Sequence, residues 1–307
     1  QERPVPIFET ILAHDPELFL MIGDNIYADT HDIDLMRAKY ARLGAVAGYQ
    51  KLRQTCPVLA TWDDHDYGVN DGGADYPQRE ASQQAFFDFF QVPADSPLRG
   101  RPGVYDARTF GPEGRRVQVI PLDTRYFRSP LKPGEKRLGG SWVPDDDPAK
   151  TMLGEAQWMW LEEQLKQPAE VRLLVSSIQC LPDAVGQETW SNLPHERQRL
   201  FRLIDSTGAE GIVILSGDRH WAELSRIDEG VPYPLYDLTS SSLNQLHPRG
   251  TPTQNSRRAI PETFHRENFG VVAIDWDQPD PTIRLEIRDL EDAVRLTKTL
   301  RLSELRP

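Results

Sequence analysis

The sequence predicts a mixed α/β domain in which two sheets pack as a sandwich with helices flanking them. Three observations carry this expectation. Over about the first two-thirds of the 307 residues, short apolar runs alternate with helix-period segments. Those runs are continuous rather than alternating, as in strands buried on both faces of a parallel sheet. From about residue 224 onward, strand-like runs follow one another with no helical pattern between them.

The elements follow in order. LFLMI (18–22) reads as a strand, and DIDLMRAKYARL (32–43) as a helix. PVLAT (57–61) is a second strand, followed by an acidic cluster and a Gly- and Asp-rich loop over 68–77. The segment 79–91 is helical, with Ala81, Ala85, Phe86, Phe89 and Phe90 on one face, and those phenylalanines are read as core. A strand over 115–127 ends in the polar residues LDTRYF. Residues 129–150, rich in Pro, Gly, Lys and Asp, are expected to form a long surface loop. A helix over 154–167 places Trp158, Leu161 and Leu165 together, and VRLLVSSIQ (171–179) is the next strand. The helix over 195–208 closes on Gly208, the residue that tolerates a left-handed C-terminal cap. GIVILS (211–216) is followed by strands at 224–227, 234–239, 270–276, 282–289 and 293–302. No linker divides the chain, so 1–307 is read as a single domain.

Composition narrows the function classes. The formal net charge of −12 argues against a broad nucleic-acid-binding surface. No apolar run approaches the length of a membrane span. Two cysteines, Cys56 and Cys180, are too few for a disulfide framework and are read as buried thiols. The abrupt start at Gln1 leads us to expect further sequence upstream. There is no Gly-x-Ser-x-Gly elbow, P-loop or dinucleotide fingerprint.

Chemistry concentrates in three short clusters, GDNIY (23–27), WDDHD (62–66) and GDRH (217–220), each directly after a strand-like run. In open α/β sheets, ligands bind beyond the carboxyl ends of the strands. Taken singly, Asp24 reads as a turn cap, Tyr27 as a core residue and the run Asp63–Asp66 as a solvated loop. Taken jointly, acids and imidazoles at matching strand ends would repel without a cation, and they point to a metal centre. A pair of ions about 3.5–4 Å apart clamps both attacking and leaving oxygens in phosphoryl hydrolysis. Asp24, Tyr27, Asp64, Asp218 and His220 are the candidate metal ligands. A tyrosine ligand favours a strongly Lewis-acidic ion such as Fe³⁺, while Asp64 and Asp218 suit Ca²⁺, Mg²⁺ or Mn²⁺, with Zn²⁺ a further alternative. His65 is placed to protonate a leaving oxygen, with Asp66 holding its ring. Arg125 is a candidate phosphate contact, with an internal ion pair as the equal alternative. Asn70, Gln179 and Asn244 are second-tier candidates for substrate binding.

The order of these clusters resembles the alkaline phosphatase D (PhoD-like) branch of the calcineurin-like metallophosphoesterases. Tyr27 stands where those enzymes usually have a second aspartate, Asp64 replaces the asparagine, and Asp218 replaces the first histidine of the last motif. LDTRYFR (122–128), SSIQ (176–179) and TSSSLN (239–244) also look like that branch. The resemblance implies a four-layer α/β/β/α sandwich and a binuclear Fe³⁺/Ca²⁺ centre. It implies Asp24 bridging, Tyr27 and His220 on iron, and Asp64 and Asp218 on the second ion. The implied function is hydrolysis of small-molecule phosphate mono- and diesters by in-line attack of metal-bound hydroxide, with Arg125 helping to stabilise the developing charge. A phosphotriesterase or phospholipase-D-like diesterase on the same site is the alternative. The branch also carries a Gly-Ser-Cys motif whose cysteine binds the iron, and neither Cys56 nor Cys180 fits that place. If that ligand were absent, a non-catalytic metal-binding module would be the remaining reading. The resemblance further implies export to the periplasm or outside, with the cytoplasm as the alternative. Oligomeric state is left open.

Overall fold

A computed structural model describes residues 5–137, 140–183, 186–246 and 254–307. The chain begins with α1 (Ile7–Leu12), then β1 (Phe19–Ile22), α2 (Ile33–Gly44), α3 (Ala47–Thr55) and β2 (Val58–Thr61). A single-turn helix, α4 (Asp64–Tyr67), and α5 (Arg79–Phe89) follow. Next come β3 (Arg108–Phe110), β4 (Val117–Pro121), the hairpin β5 (Lys132–Arg137) and β6 (Gly140–Val143), α6 (Gly154–Leu165) and β7 (Val171–Ser176). The remainder is α7 (Pro194–Thr207), β8 (Ile212–Ser216), β9 (Glu223–Ile227), β10 (Leu235–Thr239), β11 (Asn268–Asp275), β12 (Thr282–Asp289) and β13 (Val294–Arg301).

The elements assemble into layers because each has apolar surface that must be covered. Six strands form a mixed sheet in the order β3-β4-β7-β8-β10-β9. Its centre, β4-β7-β8-β10, is parallel, and β3 and β9 are antiparallel edges. Every residue of β7 and β8 is buried, which is why those runs carry no polar alternation. Leu161 and Leu165 of α6, Leu200 and Ile204 of α7, and Ile283, Leu285 and Leu300 of β12 and β13 share one core with this sheet. A second ladder region comprises the parallel pair β1-β2 and the antiparallel meander β11-β12-β13. A second core joins β1 to α1, α2, α3 and α5 through Met21, Phe8, Met36, Leu52 and Phe86. Helix, sheet, sheet and helix layers therefore succeed one another, as the sequence predicts.

Three local expectations change. β10 lies parallel beside β8, because β9 is pushed out to the sheet edge and returns antiparallel to β10. The segment 129–150 holds a hairpin, pairing Lys132 with Val143 and Arg137 with Gly140; Leu138 and Gly139 lie outside the described residues. The segment 115–127 is strand only to Pro121, after which LDTRYF turns sharply. Gly208 caps α7 in the left-handed region with φ 62°, matching the expected role. None of the described helices is long and apolar enough to cross a membrane.

Candidate metal centre

The carboxyl ends of β1, β2 and β8 deliver GDNIY, WDDHD and GDRH to one edge, beside the chain leaving β10. Tight turns make this convergence feasible. Gly23 has φ 117°, and a Cβ there would stand 2.6 Å from Asp63 Cβ, so only glycine lets the two clusters approach. Asp24, Asp218 and His220 adopt φ of 50°, 66° and 58°. Left-handed backbone at non-glycine residues is uncommon and concentrates at functional sites. His220 is further anchored by its backbone N–H, which donates to Ser241 Oγ at 3.0 Å.

Asp24, Tyr27 and His220 meet directly. The Tyr27 hydroxyl lies 3.0 Å from Asp24 Oδ2 and 2.7 Å from His220 Nε2. Burial, with the Asp24 charge beside it, pushes the Tyr27 phenol well above its ordinary range. Asp24 Oδ1 is buried without a hydrogen-bond partner, and burial raises the Asp24 carboxyl against the opposing effect of His220. Asp64 is different. Burial works against its charge, but Arg125, His65 and the backbone N–H groups of Asp71 and His65 hold it below the usual carboxylate range. Those two N–H groups donate to its oxygens at 2.7 and 2.9 Å. Asp218 is pushed up to about 6, chiefly by burial, with Arg219 opposing and Asp64 adding.

Ligand atoms converge within 4.8 Å in three groups: Asp24–Asp64–His65, Asp63–Asp64–Asp218 and Asp64–Asp71–Glu188. Asp64 is common to all three. Buried carboxylates at this spacing repel one another unless a cation lies between them. The orphaned buried oxygens Asp24 Oδ1 and Asp63 Oδ2 mark where cations would find ligands. The donors are oxygens with one imidazole and one phenol, which suits hard cations. The residues present fit a metal centre.

His65 and Arg125 correct the sequence reading. His65 Nδ1 bonds Asp29 Oδ1 at 2.6 Å, not Asp66. Against burial, the Asp29 hydrogen bond and the charges of Asp64 and Asp24 raise His65 to about 10. Asp66 faces the other way: its carboxylate accepts from the Asp63 backbone N–H at 2.7 Å and from Asn25 at 2.6 Å, and so braces α4. Arg125 is fully buried. Its Nε donates to Asp63 Oδ1 at 2.6 Å and its Nη1 to Glu188 Oε1 at 2.7 Å. The internal ion pair, one of the two readings the sequence allowed, is therefore the arrangement seen, with the guanidinium buried among Asp63, Asp64 and Glu188.

Gln179 is also interior rather than substrate-facing, since its amide is buried and donates to Glu223 Oε1 at 2.6 Å and Thr239 Oγ1 at 3.0 Å. Asn70 is exposed on the turn that carries the Asp71 N–H to Asp64. Asn244 is half-buried and lines the same cleft as Asp24, Asp218 and His220. Asp29, Asp63, Asp71, Glu188 and Arg128 were not assigned roles from the sequence. Asp29 had a signal, two residues beyond Tyr27 at the same strand end. Glu188, in a Gly- and Pro-punctuated loop, had none.

A layered α/β sandwich with a carboxylate–histidine centre at its strand ends defines a metallophosphoesterase-like protein. Residues 3–278 match the family described as PhoD-like phosphatase, and the chain belongs to that family. It is 25% identical to alkaline phosphatase D of Bacillus subtilis (strain 168), over 67% of this chain and 37% of that protein. The chain thus spans just over a third of the length of that curated relative. Its fold is similar to the solved structure of PhoD, with a TM-score of 0.73, 20% identity, and coverage of 98% of this chain and 68% of the other.

Proposed function

We propose that this chain is a metal-dependent phosphoric ester hydrolase acting on small phosphate esters. The convergence of three ligand groups on Asp64 carries this reading. Asp24, Tyr27 and His220 would hold one ion and Asp64 and Asp218 a second, with Asp24 shared. Bound there, such cations supply water activation and neutralise charge on the phosphoryl oxygens. The raised phenol of Tyr27 ionises at neutral pH only beside a strongly Lewis-acidic ion, which supports Fe³⁺ at the first position and leaves Ca²⁺, Mg²⁺ or Mn²⁺ for the second.

The chain's own residues do the rest. Asp29 fixes His65 Nδ1, so the other ring nitrogen is the one left to give a proton to the leaving oxygen. Arg125 lies 4.0 Å from Asp64 Oδ1 and helps to keep that carboxyl charged for a cation, while also pairing with Asp63 and Glu188. Asn244 borders the cleft and is the second-tier candidate best placed for substrate.

Metal analysis of the purified protein, paired with turnover on phosphate mono-, di- and triesters, tests this. Stoichiometric metal with hydrolysis of at least one class is expected, and which class responds best sets the preference. Metal-loaded protein inert on all three would overturn the enzymatic reading in favour of a binding module. Iron at Tyr27 gives a visible tyrosinate band that Tyr27→Phe abolishes. A colourless, iron-free and fully active protein would rule iron out.

A further inference from the structure

We infer, on the phosphoric ester reading above, that Arg219 grips the anionic, unesterified oxygens of the substrate and so favours mono- and diesters over neutral triesters. Arg219 lies between two candidate ligands, Asp218 and His220, just beyond the end of β8. Both neighbours have left-handed backbone, with φ of 66° and 58°. The Arg219 N–H also closes back on the Gly217 carbonyl at 2.8 Å. This tight turn holds the guanidinium at the centre instead of letting it extend into solvent. Its Nη1 donates to Asp218 Oδ2 at 2.7 Å, and its side chain is 11% exposed.

Its donors are mostly unused. A guanidinium carries five N–H donors in a rigid fork. The Arg219 Nε is buried and finds no hydrogen-bond partner among the described residues. One face lies against Trp221, whose ring centre is 5.2 Å from Cζ. A largely buried cation with unsatisfied donors is costly unless a ligand completes it. The other two arginines of the centre are already committed. Arg125 is held by Asp63 and Glu188, and Arg128 by Glu188 and the carbonyls of Asp71, Gly72 and Ser129. Both are sealed from the surface, whereas Arg219 is not.

The position of this fork selects the ligand. Asp218 belongs, with Asp63 and Asp64, to a group whose ligand atoms lie within 4.8 Å of one another. A carboxylate has two oxygens, so Asp218 can give one to a cation while the other stays on Arg219. The guanidinium is then fixed beside the ion, and its remaining N–H groups face whatever the ion binds. Arginine forks match paired phosphate oxygens bidentately. A monoester or diester presents at least two unesterified oxygens that share negative charge. A triester presents a single neutral phosphoryl oxygen, to which the fork adds little.

The rival account gives Arg219 no task beyond neutralising Asp218. A counter-ion of that kind needs a point charge, and lysine would serve. It needs neither a planar fork stacked on an indole nor a buried Nε without an acceptor. An anion that bonds the rest of the fork accounts for both features.

The test compares the metal-loaded parent with Arg219→Ala and Arg219→Lys, each with its metal content measured. Calorimetric binding of inorganic phosphate is the first readout and does not depend on turnover. Arg219→Ala at parental metal content should bind phosphate about ten-fold or more weakly, with Arg219→Lys between the two. The second readout is kcat/KM on an aryl phosphate monoester relative to the matching triester, and that ratio should fall about ten-fold or more in Arg219→Ala. Parental phosphate affinity in Arg219→Ala overturns the assignment, as does an equal loss on monoester and triester. Should Arg219→Ala fail to fold or lose its metal, Arg219→Lys decides, and parental phosphate affinity there reduces Arg219 to a counter-ion. A parent inert on every ester class, with phosphate binding still weakened in the variants, would defeat the hydrolase reading while upholding Arg219 as the anion-binding residue.

Discussion

Replacing Arg125 with alanine separates an internal ion pair from a phosphate contact. The guanidinium is wholly buried and bonds Asp63 at 2.6 Å and Glu188 at 2.7 Å. Glu188 keeps a second cation, Arg128, at 2.9 Å. Asp63 keeps the Ser177 hydroxyl at 2.6 Å and the Asp66 backbone N–H of its capping box, both neutral donors. Breaking one partner out of a buried ion pair costs about 3–5 kcal/mol, because it strands a charge rather than because the pair itself is strong. At about 2–4 °C per kcal/mol, Arg125→Ala should melt roughly 6–20 °C below the parent. The stranded Asp63 relieves itself by taking up a proton, so the deficit should be smaller at pH 5 than at pH 8. Thermal unfolding at fixed metal concentration reads this out, alongside KM and kcat on an aryl phosphate. Arg125→Lys, which keeps the charge but loses the fork, should fall between the two. A variant that melts within about 1 °C of the parent while KM rises ten-fold or more would refute the ion-pair account and restore Arg125 to the substrate.

Asp29→Asn should slow hydrolysis of alkyl phosphates more than that of activated aryl phosphates, by about 10-fold or more, since general-acid assistance contributes about 10²–10⁴; equal losses on both would remove the pair from proton transfer. Without metal, Asp218 at about 6 and Asp71 at about 7 bind protons that the unfolded chain has already released. Stability of the metal-free protein should then fall as pH rises from about 4 to 7, and metal affinity should rise over the same window; a flat urea midpoint across that range would contradict it. Gly23→Ala should cost about 2 kcal/mol or more, through strain at φ 117° and the 2.6 Å approach to Asp63. Denaturant unfolding checks it, and a loss under about 0.5 kcal/mol would show that the turn can relax.

What the sequence could reveal tracks the distance over which each feature is decided. The apolar runs that became β1, β2, β7 and β8 and the three clusters at their ends are local patterns, and they were legible. So was the cap at Gly208. Where β10 would pair was not legible, because nothing within Leu235–Thr239 distinguishes a parallel neighbour from an antiparallel one. The hairpin β5–β6 was hidden for a different reason. Its first strand, KPGEKR, has poor strand propensity, and pairing with Ser141–Val143 supplies the order instead. Within the site, candidate ligands could be named because they cluster in sequence. The residues that tune them could not, since Asp29 lies 36 positions from His65 and Glu188 lies 63 from Arg125. Assigning Asp66 to His65 failed because adjacency in a helical turn sends the two side chains to different faces.

The two arginines explain why so acidic a centre holds together at all. Asp63 and Glu188 form an outer pair, matched by Arg125 and Arg128 inside the protein. Asp24, Asp71 and Asp218 form an inner set whose carboxyls are all pushed up by burial. Asp64 stands between, kept charged by Arg125 and two backbone donors. Arg125 and Arg128 face only the outer acids, and burial still pushes the Asp63 carboxyl well above the usual range against Arg125, so protons or metal complete the compensation there as well as at the inner acids. That division gives the apo protein a way to fold without an uncompensated cluster of charge. On the proposed reading, ion binding would exchange protons for metal at the inner acids Asp24, Asp71 and Asp218, all three of which have left-handed backbone. Were Asp24 and Asp71 matched by arginine as well, the fold would be more stable and the centre would have no vacancy for a cation.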